Sequence, residues 1–273
     1  ISAGIGIASI ITAIMSGMDG NIFALTAAQR CFSGCDSFSL LALPFFSLGG
    51  NIMNKGGIAK RLVRLARLLV GWVPGYLAAT NVLANMFFGA VSGSSVAATS
   101  AMGSIMSPLE LDEGYDPNYS ATGILIPPSG PLILYSITAG GVSVAALFMG
   151  GYLTGALLGI AVAGLAIFLA MKKGYKASAV KEENPAWKIV LEAVPSLLAV
   201  IIVMGGILAG IFTATEAGVV MCLYCTFLAI IYREMSIKTF YDLLADTMKS
   251  SATILFLIAA SSIMSYVMSY SVI

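Results

Sequence analysis

Residues 75–107 (GYLAATNVLANMFFGAVSGSSVAATSAMGSIMS) decide what kind of fold this chain adopts. The stretch has no charged side chain, and it is long enough for a membrane helix, which needs about 20 apolar residues to cross the hydrocarbon core. Its middle, residues 89–95 (GAVSGSS), consists of small residues that mostly form helix poorly and carries three serine hydroxyls. The sequence therefore predicts a membrane segment that unwinds near its centre.

Unwinding at this position would create a polar site inside the membrane. The free carbonyls and hydroxyls of Ser92, Gly93, Ser94 and Ser95 would offer oxygen ligands to a cation such as Na⁺. The following half-helix would direct its N-terminal N–H groups toward a bound carboxylate. The alternative is a continuous helix with a small-residue packing stripe, in which the serines bond to their own preceding turn. Composition alone leaves both interpretations open.

The composition of the whole chain indicates an integral membrane protein. Of its 273 residues, 59% are apolar and only 10% are charged, whereas soluble domains carry roughly 25% charged residues. So few charges cannot cover a soluble surface, which excludes a soluble enzyme, a nucleic-acid-binding protein and a disordered chain. The absence of histidine argues against the usual metal sites and catalytic groups. The long uncharged runs predict about eight to ten helical or re-entrant membrane elements.

A second interrupted segment covers residues 33–54 (SGCDSFSLLALPFFSLGGNIMN). Asp36 and Ser37 are typical N-cap residues, Pro44 interrupts the apolar run, and the Gly-Gly-Asn sequence at 49–51 is expected to end it. Each half is too short to cross the bilayer. We predict a re-entrant hairpin here, with a single kinked span as the alternative.

A third interrupted segment covers residues 122–136 (TGILIPPSGPLILYS). Pro127, Pro128 and Pro131 remove three backbone donors, so a regular helix cannot run through them. Irregular backbone at membrane depth is tolerated where it lines a cavity or is buried in protein. Several broken segments within one half of a membrane protein indicate the binding site of a secondary transporter.

Charge placement predicts the orientation. The chain has three basic clusters, which are residues 55–67, residues 172–188, and Arg233, Lys238 and Lys249. The positive-inside tendency assigns all three to the cytoplasmic face. Residues 58–69 space leucines at helical intervals between basic residues, which predicts an amphipathic helix in the membrane interface. The acidic residues of 110–116 are compatible with the outer face. Residues 189–231 are predicted to form a hairpin of two spans. Glu216 is expected to cap the second span; the alternative is a functional acid within the membrane.

Several long motifs resemble one transporter family. These motifs are LALPFFSLGGNIMNKGGIAKRLVRLARLLVGWVPG, NVLANMFFGAVSGSSVAATSAMGSIM, GYDPNYS, ILIPPSGPLILYS and TATEAG. In this order, over essentially all of residues 1–273, they resemble the large membrane (M) subunit of TRAP transporters, the tripartite ATP-independent periplasmic family. The stretch PPSGPLILYSITAGGVSVAALF is similar to the sialic-acid branch of that family.

The resemblance implies an all-α integral membrane protein with the inverted-repeat, elevator-type fold of a secondary transporter, containing re-entrant hairpins and discontinuous helices, of which this chain is a part. The implied divisions are residues 1–32 as scaffold helix and connector, 33–140 as first transport-domain repeat, 141–232 as scaffold helices with a cytoplasmic linker at 172–188, and 233–273 as the truncated start of a second repeat. Within the first repeat lie the re-entrant hairpin 33–54, the interfacial arm helix 55–70, the discontinuous helix 75–107 and the Pro-rich segment 122–140. The second half-site is expected beyond Ile273. We interpret the junction of Ser120 and Ala121 as a gap in the sequence, with a real deletion at this point as the alternative.

The resemblance also implies sodium-coupled import of an organic acid across the bacterial inner membrane, without enzymatic activity. Na⁺ would bind at Ser92, Gly93, Ser94 and Ser95, and the substrate at Ser94, Ser95, Pro127, Pro128 and Ser129. The implied partners are a small four-helix membrane subunit, a periplasmic substrate-binding protein, the organic acid and lipids, with no nucleic acid, organic cofactor or transition metal. N-acetylneuraminate (sialic acid) is the preferred substrate. The alternatives are a C4-dicarboxylate, another sugar acid, or a Na⁺/carboxylate symporter that works without a binding protein.

Overall fold

The computed structural model describes residues 1–93, 95–115, 129–140, 142–175 and 185–271, and the regular secondary structure of these residues is all helix, with no strand. The helices are α1 (Ser2–Met15), α2 (Gly20–Cys35), a 3₁₀ helix (Phe38–Leu41), α3 (Ala42–Lys55), α4 (Ile58–Val70), α5 (Tyr76–Ser92), α6 (Ser95–Asp112), α7 (Gly130–Thr138), α8 (Val144–Lys173), α9 (Ala186–Leu208), α10 (Ala214–Ile231) and α11 (Ile237–Tyr270). Within the described ranges, α8 to α11 are long and apolar enough to cross a membrane. The bent pair of α2 and the 3₁₀–α3 segment adds a fifth span if it is counted as one. The predicted all-α membrane fold is confirmed.

The segment 33–54 does not fold back on itself. Arg30 of α2 lies over the ring of Tyr266 in α11, and Asn51 of α3 donates a hydrogen bond to Thr247 of the same helix. The two contact positions on α11, Thr247 and Tyr266, are 19 residues or about 28 Å apart along that helix. The 21 residues from Arg30 to Asn51 would cover about 31 Å as one straight helix, so the segment is almost fully extended along α11. The chain therefore continues along α11 with a bend of 59° between its two helical parts, which favours the alternative of a single kinked span over the re-entrant hairpin predicted for residues 33–54.

The position of each helix breaker explains this difference. Pro44 is the third residue of α3, in the first turn, where its missing N–H has no intrahelical partner to lose. Gly49 and Gly50 lie inside α3, where they allow close packing. A Cβ on Gly49 would lie 2.7 Å from Cε of Met221, so a larger residue between α3 and α10 would require the Met221 side chain to move. The interruption falls instead at residues 36–37, between α2 and the 3₁₀ helix.

The interruption predicted within residues 75–107 is present, because α5 ends at Ser92 and α6 begins at Ser95. The two helices do not continue in one direction, however. The hydroxyl of Tyr76 at the start of α5 donates to Glu113 just after α6, and Nδ2 of Asn81 donates to Oε1 of Glu110 at 3.1 Å. Such contacts require α6 to run back antiparallel to α5. The predicted discontinuous helix is thus a helical hairpin, and its arms are about 25 Å long.

The basic clusters gather at one end of the molecule, which we call the basic end. Arg61 and Arg64 of α4 form ion pairs with Glu234 after α10 (3.4 Å) and with Glu192 near the start of α9 (3.7 Å). The ring of Tyr175, just after α8, stacks on Tyr115 with centroids 4.2 Å apart. These contacts bring the ends of α6, α8 and α10 together with α4, as expected if the basic clusters share the cytoplasmic face.

The acidic residues at the end of α6 lie at the basic end as well. Glu110 and Glu113 contact the first turns of α5, which directly follows the basic helix α4. The structure therefore does not separate them from the basic clusters, because the folded-back hairpin returns the chain to the end from which it entered; the membrane face of this end stays a prediction.

Helix α4 is amphipathic as predicted, and its apolar face is buried by protein. Ile58, Ala59, Leu62 and Ala66 are fully buried where α4 packs against α5 and α9. Its basic residues lie on the other face and contact Glu192 and Glu234. The position of α4 in the membrane interface stays a prediction.

Helix α10 packs along the whole of α3. The hydroxyl of Thr215 donates to the carbonyl of Phe38, and Sγ of Cys222 lies 2.9 Å from the carbonyl of Phe45. Contacts that advance together along both helices show that the two run parallel. The α9–α10 hairpin predicted over 189–231 is confirmed, since the Tyr224 hydroxyl donates to a carbonyl of α9.

The start of α10 carries the predicted cap. Thr213 precedes the helix, and its hydroxyl accepts from the amide of Glu216. The Glu216 carboxylate in turn accepts from the Thr213 amide at 2.8 Å, which completes a capping box. Glu216 is exposed and serves the helix end, so its interpretation as a cap is confirmed.

Candidate functional site

The tip of the α5–α6 hairpin is where the interrupted segments meet. The amide of Gly130, the first residue of α7, donates a hydrogen bond to the carbonyl of Gly93 at 3.0 Å. Gly50 of α3 packs on Ser92, since a Cβ on Gly50 would lie 2.8 Å from the Ser92 Cβ. Leu43 of α3 closes the other side, 3.0 Å from where a Gly130 Cβ would stand. Helices α3, α5 and α7 thus converge on one point.

The sequence builds this tip from residues without side chains. Gly93 has a φ of +64°, a left-handed conformation that costs other residues about 1–2 kcal/mol. A Cβ on Gly50 would lie 3.3 Å from the Cα of Ser92, and a Cβ on Gly130 would lie 3.0 Å from Cδ2 of Leu43, so both positions favour a residue without a side chain. Ser92, fully buried at the end of α5, is the polar side chain that this packing encloses.

Helix ends of both polarities meet at the tip. The C-terminal end of α5, which carries partial negative charge, adjoins the N-terminal ends of α6 and α7, which carry partial positive charge. A cation is therefore favoured beside the carbonyls at Ser92 and Gly93, and a carboxylate beside the starts of α6 and α7. Ser129, nine-tenths buried, precedes α7 without a side-chain capping bond.

The predicted site residues fall into two groups. Ser92, Gly93 and Ser129 are brought together at the tip, and Ser95 is the first residue of α6. Three others lie outside the described residues; they are Ser94, Pro127 and Pro128.

Sequence reasoning missed a buried polar network in the hairpin. Glu110 accepts from Asn81, and Asn81 accepts from Nδ2 of Asn85 at 2.7 Å, with all three residues at most 4% exposed. Within the described residues, Oδ1 of Asn85 has no hydrogen-bond partner. Two asparagines four positions apart in an uncharged helix were the available signal, because their side chains must share one helix face.

Comparison with known proteins identifies the family. The whole chain, residues 1–273, matches the family described as tripartite ATP-independent periplasmic transporter, DctM component. The chain belongs to this TRAP transporter family. It is 45% identical to the uncharacterized protein YgiK of Salmonella typhimurium over 88% of this chain and 57% of that protein.

Two relatives from Vibrio cholerae carry substrate names. The chain is 33% identical to its sialic acid TRAP transporter large permease, over 88% of this chain and 58% of the relative. It is 38% identical to its C4-dicarboxylate TRAP transporter large permease, over 85% of this chain and 55% of the relative. The chain thus spans about half the length of the relatives it matches. The TRAP resemblance is confirmed, whereas the sialic-acid branch is one of several that match.

Family membership fixes the general character of the protein. A TRAP large permease is a multi-pass protein of the bacterial inner membrane, in agreement with the apolar spans of this chain. The family supports a role in transport rather than enzymatic catalysis.

Proposed function

We propose that this chain carries part of the sodium and substrate site of a TRAP transporter that imports an organic anion. The observation that carries this proposal is that the break between α5 and α6 lies against the start of α7, where the Gly130 amide donates a hydrogen bond to the Gly93 carbonyl. Where helices end at membrane depth, their terminal carbonyls and N–H groups are available to ligands. Secondary transporters bind ions and substrates by this arrangement.

In this proposal Na⁺ binds at the C-terminal end of α5. Its ligands come from Ser92, Gly93, Ser94 and Ser95. Support comes from the partial negative charge at this helix end and from the buried position of Ser92, which shields an ion from solvent. Oxygen ligands of this kind suit a hard cation.

The substrate carboxylate binds beside the sodium ion, at Ser94, Ser95, Pro127, Pro128 and Ser129. The starts of α6 and α7 support this placement because their partial positive charge favours an anion. An anion at membrane depth is costly, and a neighbouring Na⁺ lowers that cost. Each ligand therefore raises the affinity for the other, and by thermodynamic linkage the two effects are equal.

Transport in this proposal follows the elevator mechanism that the family resemblance implies. The hairpin moves with α3 and α7 as one body, because the Gly50–Ser92 and Gly93–Gly130 contacts leave no room for sliding. A small four-helix membrane subunit completes the complex, and a periplasmic binding protein delivers the substrate.

N-acetylneuraminate is the first substrate to test, with a C4-dicarboxylate as the second. Support for sialic acid rests on the similarity of residues 127–148 to that branch of the family. The relatives named for sialic acid and for C4-dicarboxylates are similarly distant from this chain. Both substrates are carboxylates, so either fits the charge arrangement at the tip.

The decisive experiment is uptake into proteoliposomes that contain the complete membrane complex. Radiolabelled N-acetylneuraminate and succinate are each supplied with and without an inward Na⁺ gradient, and with and without the purified periplasmic binding protein. We expect uptake of one of them only when both Na⁺ and the binding protein are present.

Each other outcome rejects a defined part of the proposal. Uptake that needs Na⁺ but no binding protein would assign the chain to a free-standing symporter. Succinate uptake without sialic acid uptake would replace the preferred substrate and keep the mechanism. Flux that neither saturates nor responds to Na⁺ would indicate a channel and overturn the proposal.

A further inference from the structure

A cavity with a mainly apolar lining and several hydroxyl groups opens near the end of the molecule opposite the basic end. It has a volume of about 700 Å³ and lies between α2, α7, α11 and the 3₁₀ helix. Its α11 wall, residues 257–269, begins 8 residues and ends 20 residues beyond Lys249, or about 12–30 Å along the helix. If the basic end is cytoplasmic, the far part of this wall, which carries Ser261, Ser265 and Tyr266, lies in the outer part of the bilayer.

The chemistry of this cavity is unlike that of its surroundings. Among the described residues that line it, Arg30 is the only charged one, and no acidic residue lines it. Serines contribute from α2, from the segment before the 3₁₀ helix and from α11, and Thr138 contributes from α7. A cationic, hydroxyl-lined pocket of this size suits a small anion.

The Arg30 guanidinium is available to a ligand. In the described part of the chain it contacts the ring of Tyr266, 5.4 Å from the centroid, and it forms no ion pair with Asp36 or any other carboxylate. The aromatic face holds one side of the guanidinium plane. Its N–H groups stay free to form the paired hydrogen bonds by which arginine binds a carboxylate.

Three hydroxyls can complete the recognition of an anion. Ser37, Ser261 and Ser265 line the cavity and have no hydrogen-bond partner among the described residues. Ser262, by contrast, already donates to the carbonyl one turn back in α11. The free hydroxyls lie on two walls, as expected for groups that close around a bound ligand.

The cavity is connected to the hairpin tip through α7. Leu134, Ile137 and Thr138 of α7 line the cavity, and the same helix begins at Gly130, which binds Gly93. At 1.5 Å per residue, these positions lie about 6–12 Å along the helix from the tip. An anion held in the cavity is therefore close to the carboxylate position proposed at the start of α7.

We propose that this cavity is an entry subsite for the carboxylate of the transported anion, in which Arg30 forms the ion pair and Ser37, Ser261 and Ser265 supply hydrogen bonds. This inference rests on the proposed function, and it assigns to Arg30 a role in capture from the outer face. The anion bound in the cavity then moves along α7 to the sodium-dependent site.

The first test compares Arg30→Gln and Arg30→Lys in the complete complex, using whichever of N-acetylneuraminate and succinate the wild type takes up. Loss of the ion pair in Arg30→Gln should raise the half-saturating substrate concentration roughly 10-fold or more. The half-saturating Na⁺ concentration at saturating substrate should stay unchanged. The half-saturating substrate concentration of Arg30→Lys should lie between those of the wild type and Arg30→Gln, because lysine keeps the charge and loses the planar pair of donors.

The control is Arg64→Gln, which removes the same charge at the basic end, where Arg64 pairs with Glu192. It should leave the half-saturating substrate concentration at the wild-type value. If Arg30→Gln and Arg64→Gln behave alike, Arg30 is an anchor for lipid headgroups and the proposal is overturned.

A second test needs no known substrate, so it separates this inference from the proposed function. Ser265→Cys is introduced into the complete protein after the native cysteines have been replaced, and its rate of modification is measured with anionic and cationic methanethiosulfonate reagents. Arg30 should make the anionic reagent several-fold faster than the cationic one, and Arg30→Gln should abolish that preference. A preference that survives Arg30→Gln, or no modification by either reagent in the folded protein, would overturn the proposal.

Discussion

The amide of Gly130 donates a hydrogen bond to the carbonyl of Gly93 over 3.0 Å, and this bond joins the start of α7 to the tip of the α5–α6 hairpin. It pairs one of the two lone pairs of a carbonyl where α5 ends, leaving the other for a cation, and it fixes the N-terminus of α7 beside that of α6. Two positively polarised helix ends are thereby held against one negatively polarised end. A cation and an anion can occupy this point together.

Gly93 should be intolerant of a side chain. Because its φ is +64°, Gly93→Ala should lower the free energy of unfolding by about 1–2 kcal/mol and weaken Na⁺ affinity by displacing the carbonyl that Gly130 binds. Gly103→Ala is the matched control, since its Cβ would meet nothing within 4 Å in the interior of α6. Thermal unfolding of the detergent-solubilised transporter and Na⁺-dependent uptake measure the two effects. Equal behaviour of the two variants would contradict the prediction.

Gly50 should be required for the contact between α3 and α5. A Cβ there would lie 2.8 Å from the Cβ of Ser92 and 3.3 Å from its Cα, so Gly50→Ala must separate the helices. We expect a destabilisation of about 1–3 kcal/mol and reduced uptake. Gly205→Ala in α9 adds its methyl to open space and should be neutral or stabilising. A fully active and stable Gly50→Ala protein would show that α3 and α5 are not in fixed contact.

Ser94→Ala tests the sodium site itself. Removal of one hydroxyl ligand should raise the half-saturating Na⁺ concentration roughly 10-fold, as expected for an interaction with a charged group of about 1.5 kcal/mol. Assembly with the small subunit should be unchanged. Ser104→Ala is the control, because the Ser104 hydroxyl donates to the carbonyl of Ala101 within α6. Full uptake at an unchanged half-saturating Na⁺ concentration would remove Ser94 from the site.

The cap of α10 should be structural and not part of transport. Thr213→Ala removes the hydroxyl that accepts from the Glu216 amide and should cost about 1 kcal/mol of stability, whereas Thr213→Ser should restore it. Glu216→Gln retains an acceptor for the Thr213 amide and should leave the half-saturating Na⁺ concentration unchanged. A strong loss of sodium dependence in Glu216→Gln would instead identify Glu216 as a membrane acid with a role in coupling.

The sequence revealed those features whose cause is local. The Gly-Ser composition of residues 89–95 predicted the interruption between α5 and α6, and Thr213 with Glu216 predicted a cap. Each depends on residues within one or two turns, where helix propensity and side-chain capping act. The direction that the chain takes after an interruption is not determined by residues within one or two turns. Gly93 permits a kink or a reversal equally, and contacts such as Asn81 with Glu110, 29 residues apart, select the reversal.

The error at Pro44 has a related cause. A proline breaks a helix in its interior and is accepted in its first turn, so its effect depends on where the helix begins. That beginning is set by the packing of α3 along α10, which the local sequence does not show. The cavity around Arg30 was also invisible, because α2, α7 and α11 meet there only in the folded chain.

The buried network of the hairpin provides the last prediction. Glu110 is 4% exposed and accepts from Nδ2 of Asn81, so Asn81→Ala leaves a buried carboxylate without this donor. We expect the free energy of unfolding to fall by about 1.5–3 kcal/mol. Replacing both partners, as in Asn81→Ala with Glu110→Leu, removes the unpaired polar group and should recover much of that loss.

Thermal unfolding of the four proteins in this cycle gives the interaction energy directly. A strongly favourable coupling between the two positions would establish that the Asn81–Glu110 bond holds α6 antiparallel to α5. Additive effects would mean that the hairpin is held by its apolar contacts, and that the Asn81–Glu110 bond contributes little to the reversal of the chain at Gly93.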